Sequence, residues 1–127
     1  MWIDVVAVLA VFQFVVFGGM VGAARGKYGV KAPATTGHPS FERMYRVQMN
    51  TLELLVCLLP AMYLAARYWS PNFEALAGAV YLVGRVIYLR AYTKDPASRT
   101  LGFALSFFPI LAMLGAALIG AVMALLR

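Results

Sequence analysis

The chain has 127 residues, of which 63% are hydrophobic and only 13% are charged. This balance is typical of membrane proteins and excludes an ordinary soluble domain, in which about a quarter of the residues are charged. The net charge of +6 does not indicate a nucleic-acid-binding protein, because the basic residues lie at the ends of apolar stretches and form no soluble patch. Cys57, the single cysteine, excludes an intramolecular disulfide and is expected to be a small buried hydrophobic residue.

Four apolar stretches have about the length that spans a hydrocarbon core, roughly 20 residues each, and they predict an all-α fold. The predicted helices cover residues 3–24, 41–67, 73–93 and 96–126. Almost no sequence remains for a soluble domain. We therefore expect residues 1–127 to form one domain, an integral membrane bundle of four transmembrane helices with short connections.

The first connection is rich in residues that disfavour helix. Between Arg25 and Ser40 it contains three glycines and two prolines, so an irregular loop is expected there. Ser40 is the expected N-cap of the second helix. His38 lies in this loop with no evident partner, and the pattern does not favour a catalytic or ligand-binding role for it.

Positive charge is concentrated in or beside the first and third connections. These residues are Arg25, Lys27, Lys31, Arg43, Arg46, Arg85, Arg90, Lys94 and Arg99. The opposite side of the bundle has only Arg67 and Arg127. The positive-inside rule then predicts that the first and third loops are cytoplasmic and that both termini lie on the opposite side.

The second predicted helix carries polar residues in its first half, in the segment RVQMNTLELL. At 100° per residue, Arg46, Asn50 and Glu53 fall on one face, with Cys57 deeper on the same face. Gln48 lies roughly on the opposite side. Because a charge at the centre of a membrane helix costs about 2.5–3.5 kcal/mol, these groups require protein or water on both sides of the helix.

The third predicted helix places one basic and two phenolic side chains on one face. Arg85, Tyr88 and Tyr92 follow the spacing i, i+3, i+7, which brings them together on a helix. Asp95 followed by Pro96 predicts the start of the fourth helix, with Asp95 as its N-cap.

The residues alone leave two interpretations open. One is a structural network between helices, for example an ion pair between Glu53 and Arg85, with Arg99 a snorkelling residue at the membrane interface. The other is a polar-ligand site that opens from the cytoplasmic face. In that site Arg99, in the first turn of the fourth helix, would stabilise an anion such as a thiolate. No cluster of metal ligands is present, so no metal is expected.

Three segments resemble the MAPEG family of membrane-associated proteins in eicosanoid and glutathione metabolism. They are AARGKY at the end of the first helix, FERMYRVQMNTLE in the second, and GRVIYLRAY followed by an arginine seven residues on. The likeness is greatest to the branch that holds leukotriene C synthase and the microsomal glutathione S-transferases. It extends over nearly the whole chain.

The resemblance implies a homotrimer of four-helix subunits with one glutathione site at each subunit interface. It implies that Arg99 is the catalytic residue, which stabilises the glutathione thiolate. The implied glutathione-binding residues are Arg25, Arg46, Gln48, Asn50, Glu53, Tyr88 and Tyr92. Two positions depart from the leukotriene C synthase pattern: Gly26 replaces a second arginine, and Leu54 replaces a tyrosine that contacts glutathione.

The function implied by the resemblance is that of a membrane-bound glutathione transferase. It would conjugate glutathione to a lipophilic electrophile from the bilayer, with glutathione-dependent peroxidase activity as a related reaction. The alternative from another class is a non-enzymatic lipid-binding or scaffold protein, although a lipid pocket gains little from costly charged residues. A glutathione-dependent isomerase ranks lower, because that branch has a histidine at the position of Gln48.

Overall fold

The computed structural model describes residues 1–127 as four long helices and one short 3-10 turn. The elements are α1 (Trp2–Tyr28), α2 (Pro39–Tyr68), α3 (Pro71–Lys94), the 3-10 turn (Pro96–Ser98) and α4 (Thr100–Leu125). All four helices are long and apolar enough to cross a membrane. The predicted all-α fold with four transmembrane-length helices is confirmed.

The outer surface of the bundle is apolar, as a lipid environment requires. Phe12, Val15 and Leu118 are each at least 60% exposed, and many other large hydrophobic side chains point outward with them. Such an extensive apolar surface would make a water-soluble monomer aggregate. Inside the bundle, one core cluster surrounds Met62, and a smaller one surrounds Tyr88 near the first and third connections.

The backbones of α3 and α4 touch at two glycines. A Cβ atom at Gly102 would lie 2.4 Å from the backbone nitrogen of Tyr88, and one at Gly84 would lie 2.8 Å from the backbone of Leu105. Only hydrogen fits at such distances, since backbone atoms cannot move aside as a flexible side chain can. The contact at Gly102 fixes Tyr88 directly beside the start of α4.

α1 continues to Tyr28, four residues past its predicted end at residue 24. It stops at Gly29, whose left-handed backbone (φ 69°) allows its N–H to donate to the carbonyl of Arg25. Arg25 and Lys27 in the last turn complement the negative end of the helix dipole. The glycines and basic residues that predicted a loop from Arg25 onward therefore form one more helical turn, and the irregular connection is shorter than expected.

His38, and not Ser40, is the N-cap of α2. Its Nδ1 accepts a hydrogen bond from the Ser40 backbone N–H at 3.1 Å, and Pro39 occupies the first helical position. The imidazole also stacks on Tyr28, with ring centroids 4.2 Å apart. The expectations of Ser40 as N-cap and of a partnerless His38 are wrong, because a ring nitrogen can satisfy an unpaired helix N–H as a hydroxyl does.

α4 begins at Thr100, four residues later than predicted. Asp95 is a cap as expected, but its Oδ1 accepts from the Ala97 N–H within the 3-10 turn. Ser98 Oγ donates to the Ala91 and Asp95 carbonyls, which folds the turn back onto α3. The first residues after Pro96 thus take the tighter 3-10 form common at helix ends. Arg99 is the N-cap residue of α4 and does not lie inside its first turn.

Cys57 is exposed on the outer surface of α2, contrary to the expectation of a buried thiol. Val56 beside it is also exposed, whereas Leu54 and Leu58 are buried. Helical spacing gives the direction of Cys57 relative to the polar face of α2. Spacing does not predict which side of α2 packs against the other helices. In the structure the packed side is the one that carries Leu54 and Leu58.

Candidate functional site

A cavity of about 430 Å³ lies between α2, α3 and the start of α4. We call it the polar cavity, and its lining residues are Arg46, Asn50, Tyr88, Tyr92, Arg99 and Phe103. Its volume falls in the range of about 300–1,000 Å³ that is usual for small-molecule sites. The cavity brings together five of the eight residues predicted for the site, from two helices and the end of a turn.

Aromatic rings form one wall of the polar cavity. Tyr88 is only 3% exposed and stacks on Tyr92, with ring centroids 5.4 Å apart. Phe103 packs against Tyr88 at a tilted 6.5 Å. Because Gly102 presses on the Tyr88 backbone, this wall is tied to the same point of α4 that carries Arg99. Tyr88 is therefore held in a fixed position at the end of α4 that carries Arg99.

Arg85 lies beneath the polar cavity and is completely buried. Its Nη1 donates to Asn50 Oδ1 at 2.7 Å and to Thr51 Oγ1 at 3.2 Å, and its Nε donates to Ser106 Oγ at 2.8 Å. The guanidinium carbon lies 4.3 Å from the centroid of the Tyr88 ring, close enough for a cation–π contact. Arg85 thereby links α2, α3 and α4 directly under the cavity.

This network fixes what Asn50 can offer a ligand. Asn50 is 8% exposed, and its amide oxygen is occupied by Arg85. Its Nδ2 group has no partner within the chain and can only donate hydrogen bonds. Asn50 therefore presents a donor to the polar cavity, suited to a carboxylate or carbonyl oxygen.

Arg46 and Glu53 form the only ion pair in the chain, with 3.2 Å between Nη1 and Oε1. The predicted pair between Glu53 and Arg85 is wrong. Arg85 lies under α2 in the interior, whereas Glu53 points outward with a side chain 59% exposed. Exposed ion pairs contribute only about 0–1 kcal/mol to stability, so these two side chains can rearrange around a ligand at little cost.

The charge balance of the site is positive. Arg46, Arg85 and Arg99 lie in or beneath the polar cavity, and Glu53 is the only carboxylate paired with any of them. Arg85 and Arg99 have no carboxylate partner within the chain. Guanidinium groups remain protonated at any physiological pH, so the cavity favours an anionic ligand rich in oxygen acceptors.

Residues 3–119 match the MAPEG family. The chain belongs to that family. Together with the four apolar helices, this makes it an integral, multi-pass membrane protein.

Three proteins with similar sequences indicate the branch of the MAPEG family to which this chain is related. An uncharacterized protein of Synechocystis sp. is 46% identical over 83% of this chain and 77% of its own length. Microsomal glutathione S-transferase 2 of Homo sapiens is 37% identical over 87% of this chain and 77% of its own. Leukotriene C4 synthase of Bos taurus is 35% identical over 74% of this chain and 63% of its own. The branch of the MAPEG family suggested by the sequence motifs is thus confirmed.

Two of the predicted site residues of this MAPEG chain lie away from the polar cavity. Gln48 packs beside α1, where its Nε2 lies 2.9 Å from the position a Cβ would take on Gly18. Arg25 donates to the Ala34 carbonyl at 2.7 Å, and its guanidinium lies over the Phe41 ring at 4.7 Å. The eight predicted residues therefore divide into two sets: Arg25 and Gln48 on the α1 side of α2, and the other six in or next to the cavity.

Sequence reasoning missed the groups that support the cavity from below. Thr51 and Ser106 are fully buried hydroxyl residues in apolar helices, and both bind Arg85. Their presence in otherwise apolar segments was a usable signal, because a buried hydroxyl in a membrane helix needs a partner. Phe103 gave no such signal, since a phenylalanine in a membrane helix is unremarkable.

Proposed function

We propose that this protein is a membrane-bound glutathione transferase, which conjugates the glutathione thiolate to a lipophilic electrophile. Two of the named relatives support this class of activity, being a glutathione S-transferase and a leukotriene C4 synthase. The observation that carries the proposal is the polar cavity itself. Arg46, Asn50 and Arg99 converge there with two tyrosines, at the end of an otherwise apolar bundle.

Glutathione suits this lining chemically. It is a small peptide with two carboxylates, one ammonium group and two amides, and its net charge is negative at neutral pH. Arg46 and the Nδ2 group of Asn50 supply donors for its oxygens, and the phenols of Tyr88 and Tyr92 supply more. Glu53, next to Arg46, is the one nearby carboxylate that can accept the ammonium group.

Arg99 is proposed to stabilise the thiolate. A cysteine thiol has a pKa of about 8.5, so only a few per cent is ionised at pH 7. A cation beside the sulfur lowers that pKa and raises the fraction of nucleophile. Arg99 is exposed, has no carboxylate partner and lines the cavity, so its charge is available to the sulfur. It acts as an electrostatic stabiliser and not as a base, because guanidinium does not give up its proton.

The reaction follows from these roles. The thiol proton leaves to water, the thiolate forms a bond to an electrophilic carbon, and the electron pair of the broken bond departs with the leaving group. The apolar outer surface of α2 and α4 gives a lipophilic second substrate a path from the bilayer. Reduction of lipid hydroperoxides would use the same thiolate, with two glutathione molecules oxidised to the disulfide while the hydroperoxide becomes an alcohol and water.

A second copy of the chain is proposed to complete the site. Arg25 and Gln48 are polar, lie on the α1 side of α2 and do not line the cavity of their own subunit. In a cyclic homotrimer the same two surfaces meet at every interface. We propose that these are the α1 side of one subunit and the cavity side of the next. Glutathione would then be held between subunits, with the first and third loops on the cytoplasmic side.

Thiolate absorbance and conjugation together test the proposal. Purified protein in detergent is mixed with millimolar glutathione, and the ultraviolet absorbance of the thiolate is recorded before a generic aromatic electrophile is added. The transferase proposal predicts a thiolate signal in the absence of electrophile and then saturable conjugation. A folded protein that gives neither signal would instead favour a non-enzymatic lipid-binding role. Thiolate without conjugation, but with consumption of a lipid hydroperoxide, would favour the peroxidase.

A further inference from the structure

A second polar depression lies between the end of α1, the first turns of α2 and the last turns of α3, and encloses about 660 Å³. We call it the basic groove. It shares no lining residue with the polar cavity. Its polar lining includes Lys27, Tyr28, Ser40, Arg90 and Thr93. The proposed transferase reaction uses none of these residues.

The two cations of the basic groove are unpaired. Lys27 and Arg90 are both exposed, and the single ion pair of the chain lies elsewhere, between Arg46 and Glu53. The Lys27 ammonium lies 5.4 Å from the Tyr28 ring centroid, and no carboxylate lines the groove. The groove therefore has an uncompensated charge of two at a site where the helices leave the apolar zone.

The mouth of the groove is held in place by α1. Lys27 and Tyr28 lie on the extra turn of α1, so they are fixed to a rigid helix and not to a flexible loop. Tyr28 is clamped by stacking on His38, which in turn caps α2. Arg90 stands on α3 across the groove. The helices thus fix the backbone positions of the two cations on opposite sides of the groove before any ligand arrives, which reduces part of the entropic cost of binding.

The floor of the basic groove is apolar and continues into the lipid-facing surface. It is formed by Met20, Ala23, Ala24, Met44 and Leu89, and Met20 is itself 39% exposed on the outside of α1. A free phosphate ion gains nothing from such a floor. A phospholipid uses both parts, with its phosphate between the cations and an acyl chain along α1. Basic pockets between transmembrane helices are a known form of lipid head-group site.

We propose that the basic groove binds one anionic glycerophospholipid, with the head-group phosphate between Lys27 and Arg90 and an acyl chain on the Met20 side. This inference does not depend on the proposed transferase function. Two charges near an anionic lipid should each change its affinity by about five-fold, so removing both should weaken binding by about 25-fold.

Native mass spectrometry of the full chain in detergent tests the proposal. Dioleoyl phosphatidylglycerol and dioleoyl phosphatidylcholine are titrated separately, and the bound lipid is counted. One phosphatidylglycerol should bind in preference to phosphatidylcholine, and the Lys27→Gln/Arg90→Gln variant should bind it about 25-fold more weakly. The matched control is Arg67→Gln/Arg127→Gln, which removes two cations from the other end of the bundle and should bind as the wild type does.

Four results would overturn the proposal. Equal binding of the two lipids would show that the head-group charge is not recognised. Equal losses of phosphatidylglycerol binding in the two double variants would show that the net positive charge of the protein, and not the basic groove, attracts the lipid. Displacement of phosphatidylglycerol by millimolar inorganic phosphate would assign the groove to a free anion instead. The charge-preserving variant Lys27→Arg/Arg90→Lys guards against misfolding, since it should retain the lipid, and loss of lipid from that folded variant would also contradict the assignment.

Discussion

Arg85 of α3 donates a 2.7 Å hydrogen bond to the amide oxygen of Asn50 of α2, inside a region that contains no carboxylate. The bond joins a buried structural cation to a residue that lines the polar cavity. It therefore couples the packing of the bundle to the direction in which Asn50 can donate. Stability and ligand binding should separate when this pair is altered in different ways.

Replacing Asn50 by aspartate should separate the two roles of the pair. Asn50→Asp places a carboxylate against the buried Arg85, so thermal stability in detergent should be retained or increased. The same change removes the Nδ2 donor and adds negative charge to the cavity, so the KM for glutathione should rise by about ten-fold or more, equivalent to about 1.4 kcal/mol. Melting temperature and steady-state kinetics measure the two effects.

Thr51→Val is the matched control for that substitution. Thr51 also accepts a hydrogen bond from Arg85 but does not line the polar cavity. Its loss should lower stability by about 1 kcal/mol, with little effect on the KM. If Asn50→Asp and Thr51→Val had the same profile, Asn50 would have a structural role only.

Arg99→Gln should reduce turnover at pH 7 by about ten-fold or more, since one pKa unit of lost thiolate stabilisation is worth about 1.4 kcal/mol. Without the cation the thiol pKa of bound glutathione rises, so the thiolate fraction at neutral pH falls. The deficit should shrink as the pH is raised toward 9, where the thiol ionises without help. The pH profile of conjugation and the thiolate absorbance are the measurements.

The control for Arg99→Gln is Lys94→Gln, which removes an exposed cation from the end of α3, next to the same connection but outside the cavity. Its pH profile should match the wild type. A uniform loss of activity for Arg99→Gln at every pH would argue for a role in folding or in peptide binding, and against thiolate stabilisation.

Mixed oligomers can reveal whether Gln48 serves a neighbouring subunit. Arg99→Gln and Gln48→Glu are each expected to impair glutathione use, the second because it sets a carboxylate against an anionic ligand. If the site lies between subunits, random co-assembly leaves half of the cavities with an intact Arg99 and half of those with an intact neighbouring Gln48. Activity should then recover to about a quarter of the wild-type value.

The recovered activity must arise from oligomers that contain both variants, and not from a mixture of two separate oligomers. The same two variants purified separately and combined without subunit exchange should show no gain over their average. Absence of recovery in co-expressed oligomers of confirmed mixed composition would show that Gln48 does not complete the cavity of a neighbouring subunit.

Gly102→Ala should damage both stability and activity. A methyl group there would lie 2.4 Å from the Tyr88 backbone nitrogen, so α3 and α4 must separate and carry Tyr88 away from Arg99. Overpacking of this kind typically costs about 1–3 kcal/mol. Gly115→Ala in the same helix has no atom within 4 Å and should be neutral or slightly stabilising. Melting temperature and conjugation rate of the two variants provide the comparison.

The sequence was most informative where a strong physical constraint acts on every residue. Four apolar stretches could hardly adopt any structure other than transmembrane helices, because lipid cannot satisfy open backbone groups. The polar face of α2 and the tyrosines of α3 were readable for a similar reason, since polar side chains in such segments need partners. Their meeting in one cavity needed the packing of the helices as well.

The errors fall where local chemistry allows several solutions. Arg25 and Lys27 could begin a loop or extend α1. They extend α1, because the left-handed residue that ends the helix is Gly29. A cap for α2 could come from a hydroxyl or from the imidazole of His38. The partner of Arg85 depended on which side of α2 faces inward, which spacing does not define. The orientation of α2 therefore determines that Cys57 is exposed and that Arg85 binds Asn50 instead of Glu53.

Arg99 directly follows the 3-10 turn at Pro96–Ser98, so its position depends on the length of the connection between α3 and α4 and not on its place within a helix. One residue of 3-10 structure advances the chain by about 2 Å. Adding or deleting a residue between Tyr92 and Arg99 would therefore shift the guanidinium relative to the rest of the polar cavity while all four spans stay in place. Connection length is thus a variable through which evolution or design can adjust the proposed activation of the nucleophile without altering the part of the protein that the membrane constrains.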